Sequence, residues 1–535
     1  MSSRNTVYQA LDNHLRGDVE KYFHHLTTMM PEENSGVHDF TITSSDCYNN
    51  NAPFKENQFT RFNLTNNMDI IDISKGFITM RVNVDVQFVY DNLQSTASTT
   101  GLDSTIFWVG FKNALNLISV YQVHHNNMLT SIKNTKAHQT LGIAYMCKAK
   151  EETVGRPYMY SPHHKILDMD TTVCGTYIKL PPFNDRNAKQ VITLEMCFQV
   201  DDIPEFSGFS LYPQFLCKNL ELEISTNLQQ CMCWCQIPVS KAIENIGSDL
   251  VPTVNEGLID TTIYACGDFN DNCYIGYNAT TNNKTHNKQR MTIQVSNLTV
   301  ESARSFIYGF NVSDKCKQAI VKEFNDNGFV VPCTNVEHYT FSQLPTTHDI
   351  KTNIQLSLWN ASQIILTFPN SANTGGNISY NPHLLNAQLS IGTKIIPDKM
   401  MNTVNDPSQT ELVLSGLGLD SLFSASEELL ESLSRNRGKV GSWTPHKKDA
   451  GSYIMLFDLE RASGYATDGI SGSSVPLNFQ ATYMYGEENP HYYEIVNGQK
   501  QLRRQNVDIY IISDSFFVFS PNGGQYIKDS NIRYA

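Results

Sequence analysis

The sequence predicts an all-β protein built as two tandem sandwiches with a few short helices. Three observations carry this expectation. From Ile78 to Tyr90 the residues Ile78, Met80, Val82, Val84, Val86, Phe88 and Tyr90 alternate with Thr79, Arg81, Asn83, Asp85 and Gln87, the period of a strand with one face buried. Strand-like runs recur at short spacing, and clusters of Pro, Gly, Asn and Asp, such as 181–187 and 201–208, punctuate them. The length, 535 residues, gives each of two sandwiches a substantial core without disulfide staples.

Taken in order, residues 1–30 form an N-terminal arm. Val7, Leu11, Leu15, Val19, Tyr22, Phe23 and Leu26 recur at helical steps, with Gly17 as a possible interruption. Such a helix packs on its own domain or reaches a neighbour, and its mixed-charge polar face disfavours a membrane surface. The first sandwich is placed at 31–277. Beyond the strand at Ile78, alternation returns at Ile192, Leu194, Met196, Phe198 and Val200 and again at Leu220, Leu222 and Ile224.

The stretch QQCMCWCQIPV, Gln229 to Val239, then sets Cys231, Cys233 and Cys235 at every second position. In a strand these share one face at spacings of about 6.6 Å. Thiolates must each reach a zinc ion at about 2.3 Å, so the three cannot converge on one. Their parallel Cβ directions also disfavour disulfides among them. They read as small apolar side chains of a buried strand.

A polar stretch at 278–290, NATTNNKTHNKQR, is expected to link the two halves. The second sandwich, 291–535, follows, with strands expected at Met291–Val295, at Ile354–Leu358, from Ile364, from Tyr453 and from Val507. SASEELLESLSR suggests a helix with Ser424 or Ser426 as its N-cap.

Composition narrows function. Forty Lys and Arg stand against 53 Asp and Glu, a net charge of −13, and no basic block is present, which argues against a dedicated nucleic-acid binder. The charged and amide-rich start lacks a signal peptide's apolar core, and no run of 18 apolar residues occurs, so a soluble, non-secreted protein is expected. Twelve cysteines, none beyond Cys333, fit free thiols in a reducing compartment. Sequons at Asn63, Asn278, Asn283, Asn297, Asn311, Asn360 and Asn377 are mostly chance in an Asn-rich chain.

Catalytic and metal signatures are weak. His24-His25, His124-His125 and His163-His164 are adjacent residues whose side chains diverge. Gly469 to Ser474, GISGSS, lacks the spacing of a nucleophile elbow and reads as a turn. DFNDNCYIG from Asp268 lacks the Gly and Glu of a calcium loop. No catalytic, cofactor-binding or metal-ligating residue is expected, and the chain is read as no enzyme.

Several stretches are similar to one family. Ser104 to Thr130, with Gly110-Phe111-Lys112-Asn113, Tyr121-x-Val123 and Asn126-Asn127, resembles the early first domain of double jelly-roll major capsid proteins, particularly those of Polinton/Maverick elements and related eukaryotic DNA viruses, virophages among them. VCGTYIKL from Val173 and the segment from Tyr212 through the cysteine strand resemble later strands of that domain. DGISGSSVPLNFQATYMY and NVDIYIISDSFFVFSPNGGQYI resemble the closing strands of the second. The resemblance implies two eight-stranded jelly-rolls side by side, a homotrimer forming a pseudo-hexagonal capsomer, and an icosahedral virion shell assembled inside the host cell. Implied partners are neighbouring capsomers, penton and minor capsid proteins, with contact to an internal membrane left open by the resemblance. The alternative reading is a β-sandwich glycan-binding or adhesin protein.

Overall fold

The computed structural model describes residues from 37 to 527 with interruptions, the longest at 92–105, 148–173, 239–257 and 435–451. The expected helical arm at 1–30 and the pairs His24-His25 and His163-His164 lie outside the described residues, as does most of the motif from Asp268.

In the first half eight strands follow one another: β1 (Val37–Asp46), β2 (Phe59–Asn63), β3 (Ile70–Asp91), β5 (Ile118–His125), β6 (Ile132–Asn134), β8 (Lys189–Gln199), β9 (Leu220–Thr226) and β12 (Asn287–Val312). Among the strands between them are β4 (Ile106–Gly110), β7 (Gly175–Lys179), β10 (Met232–Pro238) and β11 (Leu258–Ala265). One sheet runs β1-β12-β3-β8 and the facing sheet β2-β9-β5-β6, all antiparallel. Numbering the eight in chain order, the first strand pairs the eighth, the eighth the third, and the third the sixth. The second pairs the seventh, the seventh the fourth, and the fourth the fifth. That double Greek key is a jelly-roll.

The alternation seen in the sequence does what it should. Ile78, Met80, Val82, Val84 and Val86 on β3 and Ile192, Leu194, Met196 and Phe198 on β8 point inward, where they meet Phe62, Tyr121, Val123, Leu222 and Ile224 of the facing sheet in one core.

The second half repeats the pattern with β13 (Phe329–Gln343), β14 (Asp349–Lys351), β15 (Ile354–Thr367), β16 (Leu384–Ile391), β17 (Lys394–Met401), β18 (Met455–Asp458), β19 (Ile470–Tyr483) and β20 (Gln505–Ser520). One four-strand order is β13-β20-β15-β18 and the other β14-β19-β16-β17. These are again the jelly-roll pairings, now joined through a single bent strand. The first part of β15, Ile354–Leu358, pairs with β19, and its last part, Gln363–Thr367, pairs with β20.

The bend falls at Asn360, whose φ is +48°. Its Oδ1 accepts from the Gly469 N–H at 3.1 Å, its own N–H donates to Ser471 Oγ at 2.8 Å, and its Nδ2 reaches Asp514 at 3.4 Å. A Cβ on Gly469 would stand 2.7 Å from the Ala361 carbonyl oxygen, so only glycine fits this crossing. Gly469-Ser474 is thus the irregular start of a strand, where small residues allow close backbone approach, and not the turn its composition suggests.

The division between the sandwiches also differs from expectation. Met291–Val295 belongs to β12, the last strand of the first jelly-roll, and β12 begins within the polar stretch, Arg290 standing opposite Asp91. The chain passes to the second jelly-roll through helix α2 (Asp314–Asn327), capped by Ser313, whose side chain accepts from the Cys316 N–H, and ended at Gly328 with φ +67°. Other helices are α1 (Ala137–Met146), α3 (Ser408–Gly416) and α4 (Glu427–Ser434), the last where the serine-rich motif places it.

Candidate assembly surfaces and the joint between the jelly-rolls

Three features of this scaffold bear on function: a sheet built from connections, a joint between the sandwiches, and exposed apolar strips.

β4 lies in the connection from the third to the fourth strand of the first jelly-roll, β7 in that from fifth to sixth, and β10 and β11 in that from seventh to eighth. They pair in the order β11-β10-β4-β7. A separate sheet therefore rises from one end of the sandwich. Gly110 makes it possible, since a Cβ there would stand 2.3 Å from the Gly175 Cα and 2.4 Å from the Cys174 carbonyl oxygen. The Phe111 N–H donates to that same carbonyl at 2.8 Å. Gly110→Ala is expected to part β4 from β7 and cost about 2–3 kcal/mol, the range for overpacking against backbone; an unchanged melting temperature would contradict this contact.

The cysteine segment lies in this sheet. Met232–Pro238 is a strand, with Cys233 opposite Val109 and Tyr264, and Cys235 opposite Phe107 and Thr261. Cys231 just before it is a buried free thiol. The side chains of Cys233 and Cys235 fall outside the described residues.

The joint is aromatic. The end of β20 leaves its own sandwich's core and puts Phe517 and Phe519 into that of the first. Phe519 packs at 5.9 Å from both Phe209 and Tyr212 and 5.0 Å from the His125 ring, Phe517 lies 5.2 Å from Phe209, and Phe206 edges onto Phe209 at 5.7 Å. Most of these pairs are edge-on, the favoured geometry. α1 crosses between the cores as well, with Ala137 and Leu141 in the first and Ile143 in the second. Polar groups at the joint find partners: buried Tyr121 donates to Glu205 at 2.5 Å, and at the surface Ser207 donates to Thr334 at 3.3 Å. Burial, and then the carboxylates of Glu205 and Asp514, push the Cys333 thiol well above its ordinary range, which removes it as a nucleophile.

His124 and His125 diverge as adjacent strand residues must. His124 Nε2 lies 3.0 Å from Glu223, itself 3.7 Å from Arg61, while His125 turns into the joint. Burial lowers the His125 pKa, a backbone hydrogen bond with Cys217 opposing it. The folded state then binds fewer protons than the unfolded chain, so stability is fully present above the unfolded imidazole pKa, about 6.5, and is lost as pH falls below it. We expect the melting temperature to drop between pH 7 and pH 5, and His125→Phe to reduce that drop; equal slopes for both proteins would contradict the assignment.

Among the described residues no group of three His, Cys, Asp or Glu side chains could hold a metal, and no helix is long and apolar enough to cross a membrane. Sequon asparagines are engaged: Asn63 accepts from Thr65, Asn311 accepts from the Asp69 N–H, Asn360 is buried at the bend, and exposed Asn297 donates to Asp85.

Large exposed apolar side chains divide between the two sandwiches: Phe40, Ile42, Phe59 and Val191 on the first, Trp359, Ile395, Met400 and Leu412 on the second. Phe40 and Ile42 lie on edge strand β1 beside a run of half-buried rings, with Phe40 6.0 Å from Tyr308 and Phe77 stacked on Phe306 at 4.7 Å. Sequence periodicity did not reveal this strip. The alternation Phe40, Ile42 was its only signal.

No protein-family model and no curated protein matches the chain. Among solved structures it is similar to the mavirus major capsid protein, at 10% identity over 92% of each chain with a TM-score of 0.48. It is also similar to a chain of the Sputnik virophage particle, at 11% identity over 94% of this chain and 92% of that one with a TM-score of 0.44. The Faustovirus major capsid protein matches at 8% identity over 92% of each, with a TM-score of 0.44. The jelly-roll assignment rests on the strand pairings themselves.

Proposed function

We propose that the chain is a major capsid protein: three copies form a pseudo-hexagonal capsomer, and capsomers tile an icosahedral shell. The observation that carries this reading is the pair of complete jelly-rolls joined through the Phe209–Phe517–Phe519 cluster. A subunit with two like lobes offers, around a threefold axis, six comparable sides, which is what tiling with hexagonal units requires. The sheet raised on the loops of the first jelly-roll would give such a capsomer a distinct outer face. The resemblance of the Gly110-Phe111 and closing-strand segments supports membership of the Polinton and virophage-related lineage. In this reading the protein is a structural component with no reaction of its own, and its partners are further copies, penton and minor capsid proteins.

Electron micrographs of the purified oligomer test this. Six-lobed outlines, and closed shells at high concentration, are the expected result; two-lobed particles that never associate would overturn it.

A further inference from the structure

The exposed apolar strips suggest how a ring of copies would close. A closed ring uses a heterologous contact, in which two different patches of the same chain meet between neighbours. The molecule carries two unlike patches, one on each jelly-roll.

The first is β1 with its neighbouring rings. Phe40 is 63% and Ile42 49% exposed, and β1 is an edge strand paired only with β12 among the described residues. Its ten residues, VHDFTITSSD, include neither Lys nor Pro, the usual guards of a free edge. Its exposed anion is Asp39, beside Phe40, because Asp46 is bonded to Arg304 at 2.8 Å.

The second is β17, which is guarded and shaped as a knob. Ala387 pairs with Met401 and Leu389 with Ile396, so 397–400 bulge out of the edge. Gln388 Nε2 holds the bulge by donating to the carbonyls of Pro397 at 3.0 Å and Asp398 at 3.3 Å. Ile395 and Met400 are 55% and 50% exposed, and the exposed Lys394 and Lys399 flank them. The Asp398 carboxylate, which accepts from the Lys399 N–H at 2.9 Å, offsets one of these lysines and leaves the knob with a net positive charge. An apolar strip with an anion thus faces, on another part of the same chain, an apolar knob with two cations.

We infer that the β1 strip of one copy docks on the β17 knob of the next, closing the trimer. This rests on the capsomer reading above and names the surfaces it uses. The Lys394 and Lys399 ammonium groups set the register against Asp39, while Phe40, Ile42, Ile395 and Met400 supply the buried centre.

The test uses full-length chains in light scattering. Wild type is expected at three chains. The variants Phe40→Lys/Ile42→Lys and Ile395→Glu/Met400→Glu are each expected as single chains, with at least a hundredfold rise in the concentration for half-assembly. Mixed in equal amounts, they are expected to associate again, since the wild-type β1 of one meets the wild-type β17 of the other and the remaining Lys and Glu patches attract. All four substitutions in one chain place Lys against Glu and should restore three. Should a charged variant fail a circular-dichroism melt, Phe40→Ser/Ile42→Ser and Ile395→Ser/Met400→Ser replace it. A wild-type trimer whose patch variants also remain trimeric overturns this inference and leaves the capsomer reading standing; a wild-type monomer overturns both.

Discussion

Replacing Phe519 by alanine is expected to destabilise the folded chain by about 3–5 kcal/mol, the range for removing a buried phenylalanine that the surroundings cannot refill. The side chain is 3% exposed and touches rings on two separate segments of the first jelly-roll, at His125 and at Phe209 and Tyr212, while its backbone belongs to the last strand of the second. The cavity would open at the joint, so the two jelly-rolls should also lose cooperativity and unfold in separated transitions. Phe519→Leu should recover most of the loss, because volume-conserving apolar exchanges cost less than about 1.5 kcal/mol. Phe59→Ala, at a position 41% exposed, serves as the control. A urea midpoint for Phe519→Ala no lower than that control would mean that the lobes are not held by this cluster.

The second large effect concerns a polar pair inside the second jelly-roll. His338 Nε2 lies 3.3 Å from Asp508 Oδ1, with side chains 1% and 5% exposed, on the paired strands β13 and β20. Tyr510 covers the imidazole at 4.8 Å between ring centres. Deleting one partner of such a pair removes a buried hydrogen bond and leaves His338 Nε2 with a longer one, to Thr340 Oγ1 at 3.4 Å. Asp508→Ala is expected to cost about 3 kcal/mol on that argument, and Asp508→Asn, which keeps an acceptor, less. Equal losses for the two variants in denaturant titrations would show that the carboxylate's charge and hydrogen bond are not what the site uses.

Much of this architecture was legible in the sequence where strands have one dry and one wet face. β3 and β8 alternate because their outer residues, Arg81, Asn83, Asp85, Thr193 and Glu195, meet water. Elsewhere the periodicity carries less. Asn360 to Thr367 is buried on both faces, so its apolar run indicates burial without showing that the strand bends from one sheet to the other. The final run SFFVFS misleads for a different reason, since its strand belongs to the second jelly-roll while Phe517 and Phe519 enter the core of the first. Polar composition misplaced the division at 278–290, because the start of β12 pairs with the tip of β3 at Asp91, where its residues include Asn287, Lys288 and Arg290.

Helix α2 was readable and went unread: Ser313 caps it, Cys316, Ile320 and Phe324 recur every four residues, and Gly328 ends it. The candidate surfaces were least legible of all. An exposed Phe40 looks the same in sequence as a buried one, and the β17 knob depends on a bulge that only pairing with Ala387 and Leu389 defines.

The measurement that tests the central claim most directly is the mass of the purified chain in solution. The account predicts three times 60.4 kDa, a trimer of paired jelly-rolls. A monodisperse species of 60.4 kDa at every concentration would contradict it and leave a two-lobed protein that does not assemble.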